Sequence, residues 1–303
     1  MRYRGEMQYD VVIIGGGPAG LSAALALGRA RKRTLLCDSG PPRNAAAVHV
    51  QNFVTRDGIP PQEFRRIAAD ELQRYPGVEL RKERVLSIGG ARGSFQLQLE
   101  TSSVDARRVL LCTGLIDEMP AIDGFSTLWG SSIFACPYCH GWEIQDRRFA
   151  YLAADAEALR FALLLRGWTG DLVALTNGAF TVPADTVARF SAAGVPIDER
   201  PIARLRSDGV ELTAIEFTDG RLLERDVLFA HPRQRQVDVV QQLGLALDDH
   251  GFVKVDETTR ETSVQGIYAG GDLITHAQGA VLAAAAGTLA ASRLNFALMT
   301  EEV

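Results

Sequence analysis

Two cysteines separated by two residues, in the stretch Cys-Pro-Tyr-Cys-His-Gly at positions 136–141, are the residues of this chain best suited to chemistry. Cysteines at this spacing can close a disulfide whose reduction potential the protein sets, so such a pair usually does redox chemistry. The alternative, half of a zinc site, needs a second ligand pair of similar spacing. The other cysteines, Cys37 and Cys112, stand alone in apolar runs. The pattern therefore predicts a redox-active Cys136–Cys139 disulfide, no metal, and two small buried cysteines.

His140 directly follows the second cysteine. An imidazole titrates near neutral pH and can move a proton in either direction as one sulfur leaves or attacks. An imidazolium and a helix N-terminus beside the pair would lower the pKa values of the thiols. The alternative is a structural role for His140 as a helix cap. The remaining histidines are scattered singly and are predicted to be structural or exposed: His49, His231, His250 and His276.

The element that must position a redox partner is an apolar strand at residues 9–14, followed by the turn Gly-Gly-Gly-Pro-Ala-Gly and a helical pattern. This is a dinucleotide-binding fingerprint in its required context, in which glycines allow a tight turn, a close approach of the pyrophosphate and close helix packing. The next strand ends in an acidic residue, where an adenosine ribose should be bound. The candidate contacts are Gly15, Gly17, Pro18, Ala19, Gly20 and Asp38.

A second strand followed by a glycine turn and a carboxylate occurs late in the chain, at Gly266–Asp272. Together with the opening fingerprint, the Leu-Cys-Thr-Gly run at 111–114 and the cysteine pair, it occurs in the order found in low-molecular-weight thioredoxin reductases. The chain resembles that family over nearly its whole length. The resemblance implies two Rossmann-like α/β domains, the second inserted into the first, and bound FAD.

The resemblance also implies roles for individual residues. Asp272 would bind the ribitol of FAD, Asn52 would lie near the flavin ring, Cys139 would react with the flavin and Cys136 with the external substrate. It further implies a homodimer and a thioredoxin-like protein or a small dithiol or disulfide as partner. The other positions that it assigns to FAD are Thr113, Gly114, Gly271, Gln278, Gly279 and Ala280.

Composition agrees with this reading, because 303 residues with 47% hydrophobic content suit two compact domains. We expect the first FAD-binding segment at residues 1–117, the cysteine-bearing domain at 118–243 and the second FAD-binding segment at 244–303. The net charge of −5 includes no basic block, which argues against nucleic acid. The apolar stretches, such as Val281 to Ala286, are too short for a membrane span, and no signal peptide is visible, so we expect a cytoplasmic protein.

The inserted domain departs from the family at its nucleotide site. Where the family has three glycines, this chain has Ala153-Ala154-Asp155, which adds side chains and a negative charge where a pyrophosphate would arrive. The basic residues that would pair with a 2′-phosphate are replaced by Thr176-Asn177. Binding of NADPH in another pose, helped by Arg160 or Arg166, is the alternative.

The sequence thus predicts an FAD-dependent thiol-disulfide oxidoreductase that does not use NADPH efficiently. A ferredoxin- or flavodoxin-type carrier would supply the electrons for reduction of an external disulfide. Two alternatives remain open: a dithiol oxidase that uses oxygen, and a flavin-binding redox sensor without turnover.

Overall fold

The computed structural model describes residues 8–301. Its elements are, in chain order, β1 (Tyr9–Ile14), α1 (Pro18–Arg29), β2 (Thr34–Cys37), α2 (Pro61–Leu72), β3 (Val78–Arg81), β4 (Val85–Ala91), β5 (Ser94–Leu99), β6 (Ser103–Leu111), β7 (Ile116–Glu118), α3 (Phe125–Leu128), β8 (Ile133–Phe134), α4 (Pro137–His140), β9 (Phe149–Leu152), α5 (Arg160–Leu165), β10 (Leu172–Leu175), α6 (Ala184–Ala192), β11 (Ile197–Asp198), β12 (Ile202–Asp208), β13 (Glu211–Phe217), β14 (Leu222–Glu224), β15 (Val227–Ala230), β16 (Arg233–Arg235), α7 (Asp238–Gln242), β17 (Ile267–Ala269) and α8 (Ala280–Thr300). Short 3₁₀ turns lie at Arg43–Ala46 and Asp272–Ile274.

Two compact units divide this part of the chain. The FAD unit, as we call the first, contains the residues up to Ala45, Phe53–Ile116 and the residues from Gln234 onward. The cysteine unit contains Asp117–Arg233 and the short segment Ala46–Asn52. The chain passes from one unit to the other at β7 and returns at β16.

The main sheet of the FAD unit has the order β3-β2-β1-β6-β5-β4, and β17 also pairs with β6. Strands β1, β2, β3, β6 and β17 run parallel, whereas β4 and β5 form an antiparallel extension. Strand β6 is long enough to pair with β5 along its first half and with β17 along its last three residues. The carboxyl ends of four parallel strands, β2, β1, β6 and β17, therefore lie along one edge, where ligands bind in open α/β sheets.

Alternating side chains of β1 pack into two different cores. Val12 and Ile14 belong to the core on one face of the sheet, and Val11 and Ile13 belong to the core on the other face. A strand that is covered on both faces reads as a continuous apolar run, as residues 11–14 do.

Helix α8 packs against α1 through small residues. A Cβ atom on Gly287 would collide with the backbone of Ala19, so the two helices are in backbone contact at this point. The apolar stretches here were expected to be too short for a membrane span. Helix α8 has 21 residues, however, and is long and apolar enough to span a membrane. Its buried residues pack on α1, as those of a core helix do.

The cysteine unit has a parallel five-stranded sheet of order β11-β10-β9-β15-β8 and a separate antiparallel sheet of order β12-β13-β14. Aromatic and aliphatic side chains cover both faces of the parallel sheet. The expected α/β class with two Rossmann-like units, the second inserted into the first, is confirmed.

The observed division differs from the expected boundaries at two places. The sequence placed the end of the inserted domain at Leu243, but the cysteine unit ends at Arg233. The reason is that Val239 and Val240 of α7 pack into the core of the FAD unit. The segment Ala46–Asn52, which was expected in the first domain, belongs to the cysteine unit.

Candidate functional site

Three glycine turns meet at the carboxyl edge of the main sheet. The Cys112 amide donates to the carbonyl of Ile14, and the Gly270 amide donates to the carbonyl of Leu111, at 2.8 and 3.0 Å. Gly15 has φ +107°, and a Cβ atom there would collide with the Cys112 backbone. Only glycine suits this position, because the neighbouring turn occupies the space of a side chain.

The first turn of α1 presents its amide groups to open space. No side chain caps this helix, Pro18 occupies its beginning, and no atom lies within 4 Å of a Cβ built on Gly17. A Cβ on Gly20 would collide with the Gly15 carbonyl, so the helix is held close to the strand. Uncapped amides at a helix N-terminus favour an anion, and these residues fit the pyrophosphate of FAD.

Asp38 closes one side of the first turn. The Gly16 amide donates to Asp38 Oδ1 at 3.1 Å, and the other carboxylate oxygen is paired with Arg65. Arg65 also donates to the carbonyl of Gly40 at 2.8 Å. Arg65 could not be identified from the sequence, because α2 carries no motif that marks this contact.

The late turn is held by another arginine that the sequence analysis missed. Arg43 Nη1 donates to Gln278 Oε1 at 2.6 Å and lies 3.5 Å from Asp272 Oδ2. Gln278 in turn donates to the side chain of Gln234 at 2.8 Å. Arg43 thus connects two residues that the resemblance assigns to FAD.

The remaining candidates of the FAD unit lie beside these turns. A Cβ on Gly271 would lie 2.8 Å from the Cβ of Ala19, which brings the late turn against α1. Gly279 caps α8, and Ala280 is its first residue. Thr113 is half-buried after β6, and Gly114 has φ +62° with open space around it.

Asn52 ends the short segment Ala46–Asn52, which belongs to the cysteine unit. It is exposed and has a left-handed backbone with φ +60°. Its neighbour Gln51 donates to Glu143 Oε1 at 2.9 Å, three residues beyond His140. The segment that carries Asn52 therefore packs near the cysteine turn.

Cys136 and Cys139 form a disulfide, as the sequence predicted, with their Cα atoms 5.3 Å apart. Cys136 caps α4, which is a single turn of four residues, so the helix supplies little dipole to the sulfurs. Tyr138 and Trp142 beside the disulfide are 62% and 74% exposed. The disulfide is thus bordered by accessible aromatic surface.

Gly141 and Trp168 fix the shape of this turn. A Cβ on Gly141 would lie 2.5 Å from the Pro137 carbonyl oxygen and 2.7 Å from the Trp168 ring. Tyr138 also packs edge-on against Trp168, with ring centroids 5.4 Å apart. Trp168 therefore packs against the turn that carries the disulfide.

His140 is a partly buried, neutral imidazole. Its ring stacks on Phe134 at 4.3 Å, and its Nδ1 atom is buried with no hydrogen-bond partner. Burial lowers the pKa of His140, against smaller opposing effects of Glu143 and of the Cys136 backbone. This burial disfavours the imidazolium that was expected beside the pair, because the stacked ring has lost the hydration that the charged form needs.

Cys37 and Cys112 are buried, as predicted. Burial raises the pKa of the Cys37 thiol to about 12 and raises that of Cys112 further. Both therefore stay protonated and unreactive at neutral pH. Within residues 8–301, no group of three acidic, histidine or cysteine side chains is arranged to hold a metal ion.

The nucleotide edge of the cysteine unit is occupied by the protein's own side chains. After β9, Asp155 Oδ1 accepts a hydrogen bond from the Ala158 amide at 2.8 Å, and α5 begins only at Arg160. After β10, Asn177 Oδ1 accepts the Ile202 amide at 2.6 Å. The carboxylate of Asp155 thus satisfies an amide at the place where a dinucleotide phosphate would bind.

A cavity of about 520 Å³ lies at the same edge, lined by Leu152, Ala154, Asn177, His231 and Arg233 among others. The alternative pose for NADPH relied on Arg160 or Arg166, which do not line this cavity. The cavity's one lining arginine is Arg233, which the sequence analysis did not consider.

Comparison with known proteins gives consistent matches. The model of the pyridine nucleotide-disulphide oxidoreductase family matches residues 9–162 and 182–287. The chain is 32% identical to the thioredoxin reductase sirT of Leptosphaeria maculans, over 95% of this chain and 94% of that protein. An oxidoreductase structure from Agrobacterium tumefaciens is 35% identical with a TM-score of 0.91, covering 97% of this chain and 99% of that one. The structure of a putative thioredoxin reductase, TrxB, from Bacillus anthracis is 33% identical, also with a TM-score of 0.91, covering 97% and 100%.

These matches extend over both units and include the turns that fit FAD. The chain is thus an FAD-binding flavoprotein and an enzyme of the thioredoxin reductase type. It belongs to the pyridine nucleotide-disulphide oxidoreductase family.

Proposed function

We propose that this protein transfers electrons between FAD, the Cys136–Cys139 disulfide and an external thiol or disulfide, without efficient use of NADPH. The observation that carries the proposal is the contrast between two edges. The FAD unit offers uncapped helix amides to a dinucleotide, whereas Asp155 fills the corresponding position of the cysteine unit. A ferredoxin- or flavodoxin-type protein would supply the electrons, and a thioredoxin-like protein or a small disulfide would receive them.

Bound FAD would supply two electrons in its reduced form. With those electrons and two protons, the Cys136–Cys139 disulfide becomes two thiols. Cys136 as a thiolate then attacks one sulfur of the external disulfide and releases the first substrate thiol. Cys139 attacks the Cys136 sulfur of the resulting mixed disulfide, which restores the protein's own disulfide and releases the second substrate thiol. This division of roles is carried over from the family, with Cys139 facing the flavin.

Nicotinamide nucleotides should reduce this flavin poorly. Asp155 places a carboxylate where the phosphates would arrive, and like charges in close contact repel. We expect anaerobic addition of NADPH or NADH to leave the flavin absorbance largely oxidised over minutes. Dithionite should bleach it in the same cuvette, which controls for absent or inaccessible flavin. Rapid stoichiometric bleaching by NADPH would contradict the proposal.

Substitution of the two cysteines should give spectroscopically distinct proteins. Cys136→Ser leaves Cys139 as a thiolate beside oxidised flavin, and we expect a long-wavelength charge-transfer band in its absorbance spectrum. Cys139→Ser should lack the band but form a mixed disulfide with substrate through Cys136, visible by mass spectrometry. Both variants should lose turnover. A band in Cys139→Ser and none in Cys136→Ser would reverse the assignment of the flavin-facing sulfur.

One observation favours the second candidate, an oxygen-using dithiol oxidase. Oxidation of a dithiol releases protons. The Nδ1 atom of His140 has no hydrogen-bond partner, so in the neutral ring it could accept one of these protons. In such an enzyme a dithiol should bleach the flavin absorbance under argon, and the absorbance should return in air. A reductase should instead be reduced by the carrier protein, and a sensor should do neither repeatedly.

The proton-accepting role of His140 predicts a particular pH dependence. Burial lowers the pKa of His140 from the ordinary histidine value, so the neutral base is lost only as the pH falls through this lowered pKa. We expect flavin bleaching by dithiothreitol, measured by anaerobic stopped flow, to be about 10²-fold slower in His140→Asn at neutral pH. Dividing the wild-type rate by the variant rate cancels the titration of the dithiol itself. This ratio should fall as the solution becomes more acidic.

The exposed His250→Asn is the matched control and should follow the wild type. If His140→Asn is bleached at the wild-type rate throughout the range from about pH 5 to 8, His140 has no proton-transfer role.

We further propose a homodimer, on the resemblance and on the apolar outer side of α8. Leu282, Leu289, Phe296 and Met299 are exposed along this side although they are large and apolar. Light scattering at micromolar concentration should give twice the chain mass of 32.9 kDa. Phe296→Glu should give the monomer mass, whereas Val187→Glu on α6 should not. A monomeric wild type would refute the dimer.

A further inference from the structure

A second cavity, of about 680 Å³, lies in the FAD unit away from the glycine turns. Arg92 of the β4–β5 hairpin, Arg107 and Arg108 of β6, and Glu301 at the end of α8 line it. Its volume is within the range of about 300–1,000 Å³ that is typical of small-molecule sites. Helix α8 separates it from Gly279 by 21 residues, or about 30 Å at 1.5 Å per residue, so it is distinct from the cofactor turns.

Arg108 is buried to an extent that is unusual for an arginine. Its side chain is 2% exposed, and its Nη1 atom donates to the carbonyl of Arg107 at 2.8 Å. Its Nη2 atom is paired with one oxygen of Glu301. Its Nε atom is buried and has no hydrogen-bond partner within residues 8–301. A buried guanidinium with an unused donor is costly unless a hydrogen-bond acceptor is supplied to it.

Glu301 shares its carboxylate between two arginines. One oxygen pairs with Arg108 and the other with Arg92, so neither arginine receives the two parallel hydrogen bonds that its planar group can make. Arg107 pairs with Asp10 at 3.3 Å.

Three arginines line this cavity. Arg92 and Arg108 pair with Glu301, and Arg107 pairs with Asp10. Buried Tyr268 also faces Arg92, Arg108 and Glu301, and its raised pKa keeps it neutral. Glu261 is the further acidic group near Tyr268, and it accepts the Gly266 amide at 2.6 Å.

We propose that this arginine cavity binds the phosphate group of a small molecule, and that Glu301 occupies the same guanidinium groups when no phosphate is bound. A phosphate has three terminal oxygens in a tetrahedral arrangement. Two of them can take Nε and Nη2 of Arg108 while the third takes Arg92. Glu301 pairs with Nη2 of Arg108 and Nη2 of Arg92 and leaves Nε of Arg108 unused. The geometry therefore favours phosphate over carboxylate.

Isothermal titration of the FAD-loaded protein tests this proposal, because bound FAD already fills the pyrophosphate site at α1. The probes are inorganic phosphate, phosphoserine as a phosphate ester, and succinate as a dicarboxylate, each at ionic strength matched with chloride. We expect saturable binding of phosphate or phosphoserine and weaker binding of succinate. Tighter binding of phosphoserine identifies an ester as the natural class, whereas equal binding identifies the phosphate group alone.

Two variants give opposite expected changes. Arg92→Gln removes one donor and should weaken phosphate binding about tenfold or more, as the loss of a charge-assisted hydrogen bond does. Glu301→Gln removes the internal competitor and its negative charge and should tighten binding. Arg66→Gln is the matched control, because Arg66 is an exposed, ion-paired arginine of the same unit. Arg108→Gln is not needed, since loss of this buried group could unfold the protein.

Absence of saturable phosphate binding would overturn the proposal, as would equal affinity in Arg92→Gln and the wild type. Weaker binding in Glu301→Gln would also overturn it, because the ion-pair network would then be only structural. Succinate that binds as tightly as phosphate would exclude the assignment to phosphate.

Discussion

Close backbone contact at glycine residues is the constraint on which the rest of this structure depends. Gly15 lies against the backbone of Cys112, Gly20 against the carbonyl of Gly15, and Gly287 against Ala19. Each contact leaves no room for a side chain, so the turns after β1, β6 and β17 can converge on one small region. This convergence leaves the amides of α1 uncapped and the space at Gly17 open, which is what a dinucleotide requires. A side chain at any of these glycines would force the strands and helices apart and remove the site.

The same logic explains what could be predicted from the sequence. A glycine turn between an apolar strand and a helix is a local signal, and so is a pair of cysteines two residues apart. The FAD turns and the disulfide followed from such signals. Arg43 and Arg65 did not, because their contacts with Gln278 and Asp38 join residues 235 and 27 positions apart. Exposed arginines are common, and no spacing distinguishes these two from the others.

The burial of His140 and of helix α7 did not follow from the sequence. The position of His140 beside the cysteines indicated proton chemistry, but its charge state depends on Phe134, which stacks on the ring. Likewise, the boundary at Leu243 was placed from the order of motifs, whereas the packing of Val239 and Val240 moves α7 into the FAD unit. Both differences arise from tertiary contacts that override a correct local pattern.

The two units of this chain satisfy the amide groups at the carboxyl edges of their parallel sheets in different ways. In the cysteine unit the parallel sheet keeps its strand order and its packed faces. The change is confined to the edge, where Asp155 caps the Ala158 amide and Asn177 accepts the Ile202 amide. These amide groups would destabilise the unit if they had no hydrogen-bond acceptor, and the protein's own side chains supply the acceptors. A dinucleotide phosphate that bound at this edge would have to replace the Asp155 carboxylate at the Ala158 amide.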